Sequence, residues 1–329
     1  MIKRFILLLM IGILGGTQLA NAQDPEFTQF YANKLYLNPA FAGAQRCPRI
    51  SLNYRNQWPA LGSTYVTYNA SFDRFVNPLG GGVGLLLMND VQGDGAITTT
   101  SISGLYSYSL HATRFFTVRA GFQATYFQKK LNWDFIFPDM LHPLYGPVFP
   151  TSEIQPDNLS RGFFDFSTGI VGFNRDYFFG IAVHHLTEPL ESFYDRSLSE
   201  SVLPRKYTVH FGTNIELPSR RFKRGELSLS PQFIFQQQQD FQQVNYGIYL
   251  NRNKIVAGAW IRQNFGFHYD SFIMLVGFMQ DKIQFAYSYD LTISKLKNQT
   301  LGAHEVSYQM EFYCKTVKRK FRTISCPSF

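Results

Sequence analysis

Charge is scarce in this chain. Asp, Glu, Lys and Arg make 16% of its 329 residues, against about 25% in a soluble globular protein. Cysteine is scarcer: Cys47, Cys314 and Cys326 are the full set, with no metal-ligand spacing. The sequence also lacks a Gly-x-Ser-x-Gly elbow. Gly80 to Gly84 has no following Lys-Ser/Thr and is no phosphate loop. Asp90 and Asp94 miss the spacing of an EF-hand and read as part of a tight outside turn. His184 and His185 are neighbours on a strand, which puts them on opposite faces and rules out a shared metal. These absences describe a chain that is not an enzyme and uses no cofactor.

Beyond residue 22 no apolar run approaches the ~20 residues of a spanning helix. Any residence in a membrane must therefore come from strands. Residues 1–22 are a targeting segment: Lys3 and Arg4, an apolar run from Phe5 to Gly16, and the small-x-small site Ala20-Asn21-Ala22. Cys47 lies too far along the chain for lipidation. The formal net charge of +8 gathers in Arg220, Arg221, Lys223 and Arg224, and again in Lys315, Lys318, Arg319, Lys320 and Arg322. Neither cluster has the aromatic spacing of a nucleic-acid platform, so nucleic acid is not a partner. Anionic headgroups or an acidic periplasmic protein fit better.

Aromatic residues are what the chain has in excess. With 33 Phe and 19 Tyr, the aromatic share is 17%, as suits a surface facing lipid and its interfaces. They are placed with period two. In 115–127, Phe116, Val118, Ala120, Phe122, Ala124 and Tyr126 share one face, and Thr117, Arg119, Gly121, Gln123 and Thr125 share the other. Ile283, Phe285, Tyr287, Tyr289 and Leu291 repeat the pattern, as do Val306, Tyr308, Met310 and Phe312. Segment 95–110 shows it less sharply.

Fourteen such segments are expected: 49–57, 63–73, 80–89, 95–110, 115–128, 163–173, 176–185, 205–216, 225–237, 241–250, 254–262, 269–279, 282–291 and 304–313. An even count of strands behind an export signal predicts an all-β, transmembrane antiparallel β-barrel with long extracellular loops. A soluble propeller or sandwich also alternates but does not explain the connectors. The long ones, 129–162, 186–204 and 292–303, are the fifth, seventh and thirteenth. The short ones, 174–175, 251–253 and 280–281, are all even. That is the asymmetry of long outside loops and short periplasmic turns.

The chain divides into 1–22 as signal peptide, 23–48 as a periplasmic or plug segment, 49–313 as barrel and 314–329 as basic periplasmic tail. Closure brings the start of the first strand beside the end of the last, so Cys47 is expected to bond to Cys314 or Cys326. Trp133, Phe135, Phe137, Tyr145 and Phe149 form an apolar set on the fifth connector that suits a partner or folds over the barrel mouth. Arg220, Arg221, Lys318 and Arg319 are candidate periplasmic contacts, or solvated and headgroup-binding clusters.

Several motifs then resemble one family. They are Pro25-Glu26-Phe27-Thr28-Gln29-Phe30-Tyr31, Leu37-Asn38-Pro39-Ala40-Phe41-Ala42-Gly43, and the Gly80 to Gly84 strand ending in Asn89-Asp90 and Gly93-Asp94-Gly95. Further on come His184-His185-Leu186-Thr187-Glu188-Pro189, Leu203-Pro204-Arg205-Lys206-Tyr207, Gly302-Ala303-His304-Glu305 and the terminal Cys326-Pro327-Ser328-Phe329. In this order they resemble the PorP/SprF family of type IX secretion outer-membrane proteins of Bacteroidota. The resemblance implies an accessory that supports export or surface attachment of a secreted protein, including large adhesins used in gliding. It also implies contact with the secretion machinery. The rival function is an outer-membrane channel or porin for small solutes.

Overall fold

The structure, a computed structural model, describes residues 24–61, 64–113, 115–194, 201–217, 227–266, 268–293 and 300–314. The leader, the basic turn at 220–224 and the tail with Cys326 lie outside these residues.

All fourteen expected strands are present, with edges displaced by a few residues. They are β1 (Arg49–Gln57), β2 (Tyr65–Val76), β3 (Gly81–Gln92), β4 (Ile97–Leu110), β5 (Thr117–Leu131), β6 (Ser160–Phe173) and β7 (Tyr177–His184). The second half comprises β8 (Lys206–Thr213), β9 (Leu227–Gln238), β10 (Phe241–Arg252), β11 (Ile255–Gln263), β12 (Tyr269–Gln280), β13 (Ile283–Thr292) and β14 (Ala303–Glu311). After a break at Asn214, Ile215–Glu216 prolongs β8 along β9. Each strand pairs antiparallel with its sequence neighbours, and β1 pairs with β14 from Arg49↔Glu311 to Gln57↔Ala303. The sheet is thus a closed antiparallel barrel.

Alternation sets the two faces. On β5, Ala120, Phe122 and Tyr126 are exposed while Thr117, Arg119, Gly121, Gln123 and Thr125 are buried. On β13, Phe285, Tyr287 and Leu291 point out, while Ser288 and Asp290 point in. The barrel is therefore apolar outside and largely polar inside, the inverse of a water-soluble core. Asp90 belongs to this inner face of β3 and is buried. The turn itself is built by Gly93, Asp94 and Gly95, all at positive φ, so only Asp94 of that pair lies in it.

The connectors 132–159, 185–205 and 293–302 leave one rim, and 174–176, 253–254 and 281–282 leave the other. In outer-membrane barrels the long loops face outward. Cys47, just before β1, is bonded to Cys314, just after β14, with a Cα separation of 5.5 Å. This bond lies at the short-turn rim.

Fourteen strands enclose more space than about eight, whose side chains fill a barrel, and less than the ~16–18 of a water-filled porin. Residues 24–48 occupy that space. They include a one-turn helix, α1 (Lys34–Leu37), and a 3-10 turn at Pro39–Phe41 capped by Asn38, whose Oδ1 accepts from Ala40 N at 2.9 Å. Phe30, Tyr31, Leu35 and Phe41 pack on Phe178, Ile234, Trp260 and Ile273 of the wall. Full burial of each such side chain is worth roughly 1.5–3 kcal/mol relative to exposure. Where the plug backbone meets the wall, the wall has glycine. A Cβ on Gly121 would overlap the backbone of Pro39 and Ala40, and one on Gly82 would overlap Ala42 and Gly43.

These contacts make the lumen sensitive to a single carbon branch. Gly121→Val is expected to lower the unfolding free energy by about 1–3 kcal/mol and open the plug to protease. Gly104→Val, on the outer face with nothing within 4 Å, leaves both unchanged. Denaturation in detergent with limited proteolysis checks the pair.

Candidate functional site

The plug is held by charges that the strands carry inward. Glu305, at 0% exposure, accepts from Thr28 N at 2.6 Å, Thr28 Oγ1 at 2.7 Å and Gln29 N at 3.2 Å. Arg55 lies 3.3 Å from Glu305 and 3.1 Å from Asp290, and Arg262 also reaches Asp290 at 3.1 Å. A buried carboxylate is tolerable only with such partners. Halfway down, Asn38 Nδ2 donates to the carbonyls of Ile170 at 3.3 Å and Ile181 at 3.1 Å. Near the short-turn rim, Arg119 donates to the carbonyls of Ala42 and Gly43, and Ser107 Oγ donates to Ala42 O at 2.6 Å. Asp73 accepts from Gly43 N at 2.8 Å and pairs with Arg49 at 3.0 Å. The extended plug segment thus has fixed points along the whole height of the barrel.

At the long-loop rim a second cluster holds the plug's start. Asp24 lies 2.8 Å from His185 Nε2 and 3.6 Å from Lys206 Nζ, and His185 Nδ1 lies 2.8 Å from Asp165. His185 follows the last residue of β7 and has a φ of 58°. That left-handed step turns its ring back into the lumen, so His184 and His185 are both buried inside, with ring centroids 6.4 Å apart. The expectation of opposite faces fails because strict alternation ends with the strand. His304 and Glu305, inside a strand, do alternate: Glu305 faces the plug and His304 meets Tyr287 Oη at 2.7 Å on the outside. Burial disfavours the charged form of His185, yet Asp24 and Asp165 outweigh it and hold its pKa at about 9. Burial likewise opposes ionisation of Asp24, and His185 with Lys206 outweighs it, keeping that carboxylate below its ordinary range.

A profile of type IX secretion system membrane proteins, PorP/SprF, matches residues 19–310. The chain belongs to the PorP/SprF family. As a closed strand barrel of that family it is an outer-membrane protein of the type IX system. No curated protein matches it by sequence. Among solved structures, the toluene transporter TbuX of Ralstonia pickettii is similar at a TM-score of 0.48 and 12% identity, over 85% of this chain and 93% of TbuX. A FadL homologue of Pseudomonas aeruginosa is similar at 0.43 and 13% identity, over 84% and 93%.

Several motifs that carry the family resemblance converge on the plug. Thr28 and Gln29 of the first meet Glu305 of the Gly302 to Glu305 motif, and Leu37 to Gly43 cross Gly82, Gly121 and Arg119. The aromatic candidates sit elsewhere, on the outer loop 132–159. Trp133, Phe135 and Phe137 form one group, with ring centroids 5.3 to 6.2 Å apart. Tyr145 and Phe149 form another around His142, at 4.8 and 5.8 Å, beside a hairpin of Leu141–His142 with Gly146–Pro147. Cys47 and Cys314 are the bonded pair. Arg220, Arg221, Lys318 and Arg319 lie outside the described residues. The sequence reading did not single out Arg55, Asp73, Arg119, Arg262 or Asp290. Their signal was a charge at the wet parity of a strand. Among the described residues, no group of three or more His, Cys, Asp or Glu side chains is placed to hold a metal ion.

Removing one partner of a buried ion pair costs about 3–5 kcal/mol. Glu305→Gln is expected to fall in that range and to release Thr28 and Gln29. Lys282→Gln, at the half-exposed Lys282–Glu311 pair, should cost under about 1 kcal/mol. Equal effects in denaturant titrations would contradict the ranking.

The His185 cluster gives a pH dependence. Its folded pKa of about 9 lies above the ordinary 6.5, so its stabilisation is complete below pH 6.5 and is lost as pH rises through about 9. Melting of the intact protein should decline across that window, and His185→Gln should flatten the decline. A flat wild-type profile would argue against the assignment.

Proposed function

We propose that this PorP/SprF barrel serves type IX secretion as a closed attachment point in the outer membrane, supporting export or surface retention of one secreted protein. An adhesin of the kind used in gliding is the partner class, and the action is binding without catalysis. The observation that carries this reading is the plugged lumen. Its anchors run from Asp24 at one rim to the Cys47–Cys314 bond at the other, which favours attachment over passage of solute. The outward apolar side chains meet outer-membrane lipid. Arg220, Arg221, Lys318 and Arg319, outside the described residues, are the basic residues offered to an acidic component of the secretion machinery.

Loop 132–159 is the surface offered to the partner. Leu144, Tyr145 and Ile154 are 82%, 75% and 74% exposed. Large apolar side chains held this far into water favour an interface, where aromatic anchors supply much of the binding energy.

Replacing Trp133 and Phe137 together by Ala is expected to weaken retention of the secreted partner at least about tenfold, with the heat-modifiable barrel band unchanged. Quantitative proteomics of shaved cell surfaces reads the first outcome and gel mobility the second. Full retention of every surface protein, or robust sugar flux through liposomes carrying the intact barrel, would favour the channel reading instead.

A further inference from the structure

The long-loop rim is not level. β6 pairs with β5 along all 14 of its residues, from Ser160↔Lys130 to Phe173↔Thr117. With β7 it pairs only from Thr168 to Phe173, because β7 ends at His184. The first part of β6 therefore stands above its shorter neighbour with one side bare. Its outward neighbours on β5 are Gln128 and Lys130, both exposed, so this stretch has passed the apolar band and reached water. A bare edge is excluded within lipid but not there.

Hydrogen bonds fix which atoms the bare side presents. Residues of an antiparallel strand turn their backbone groups to one neighbour and then the other. Leu131 N donates to Leu159 O at 2.9 Å, so Arg161, Phe163 and Asp165 also face β5. Ser160, Gly162, Phe164 and Phe166 face away from it. The seventh connector meets the last of these, where Leu186 N donates to Phe166 O at 2.9 Å. Among the described residues, the N–H and C=O groups of Ser160, Gly162 and Phe164 have no hydrogen-bond partner. Such a row of unpaired groups is a template for another strand.

A cleft of about 470 Å³ opens on this edge. Ser160 to Phe163 form its floor, Ile154 to Asn158 one lip, and Leu190, Phe193 and Tyr194 the other. Tyr194 Oη reaches across and donates to Ile154 O at 2.9 Å. Lips tied together in this way admit a single chain and exclude the edge of a second barrel. We propose that the free edge of β6 takes up an extended polypeptide segment as an added antiparallel strand. Main-chain bonds to Ser160, Gly162 and Phe164 hold it, and its alternate apolar side chains rest on Phe163 and Phe193. This goes beyond the attachment reading, because it states how a chain is gripped and at which edge, whichever protein supplies that chain.

Fluorescence anisotropy with the full-length protein in detergent tests the edge. The probes are labelled heptapeptides in which Thr alternates with Val, Leu or Phe, each also made in two N-methylated forms. One is methylated at the Thr residues, whose N–H groups face β6 in the added strand. The other is methylated at the apolar residues, whose N–H groups face away. At least one parent peptide is expected to bind. Methylation at Thr should weaken it at least about tenfold, and methylation at the apolar residues should leave it near the parent. Ser160→Pro removes one edge donor at the first residue of a strand, where proline is tolerated, and should weaken binding about threefold or more. Phe193→Ala should do the same through the apolar lip. Heat-modifiable mobility checks folding, and the methylated probes carry the test should either variant fail to fold. Hydrogen exchange reads the edge directly: Gly162 and Phe164 amides should exchange quickly in the free protein and slowly with peptide, while those of Arg161 and Phe163 stay slow throughout. No binding by any parent peptide, an absent or reversed preference between the methylated forms, unchanged affinity in the folded variants, or edge amides already slow in the free protein would overturn the proposal. So would a dimer in mass photometry that the peptides dissociate, which gives the edge to a second copy of the chain.

Discussion

The pairing of β1 with β14 is the constraint from which the rest follows. An unpaired strand edge inside a bilayer leaves backbone donors and acceptors with no water to meet them, so the sheet must close. Closure at fourteen strands then creates a second demand. The lumen is too wide for wall side chains alone to fill, and the wall's inward face is studded with Arg, Asp, Glu and Gln that need partners. The plug answers both, supplying apolar volume through Tyr31, Leu35 and Phe41 and hydrogen-bond partners through Thr28, Gln29 and Asn38. Cys47–Cys314 fastens the plug's far end to the same seam that closure creates.

Much of the architecture was legible because a lipid-facing strand has a strict two-residue rhythm. Phe116 to Tyr126 announced its two faces without reference to any other part of the chain. Connector lengths gave the strands a direction for the same reason: they are local quantities. The tertiary pairings were not local. Arg55, Glu305 and Asp290 are separated by more than two hundred residues for each pairing with Arg55, and in sequence each is one more polar residue at the wet parity. His185 escaped because its position depends on one backbone step past the end of β7, which residue spacing cannot report. The choice between Cys314 and Cys326 likewise rests on a distance.

The inside and the outside of this barrel have separate physical tasks. Inside, specificity of fit dominates: glycine where backbones touch, an acid where two amides point, an arginine where two carbonyls converge. Outside, at the long-loop rim, apolar side chains stand in water on a loop that the barrel positions without covering. A type IX outer-membrane protein built this way is a plugged cylinder carrying a crown of loops.

The plug runs opposite to β1. Its start, Asp24, is clamped at the long-loop rim, and its end, Cys47, lies at the other. From Asp24, its first described residue, at the cell-surface rim, the chain therefore runs back through its own lumen and only then begins its wall. Asp24 and Cys314, the first and last described residues, thus lie at opposite rims of one cylinder.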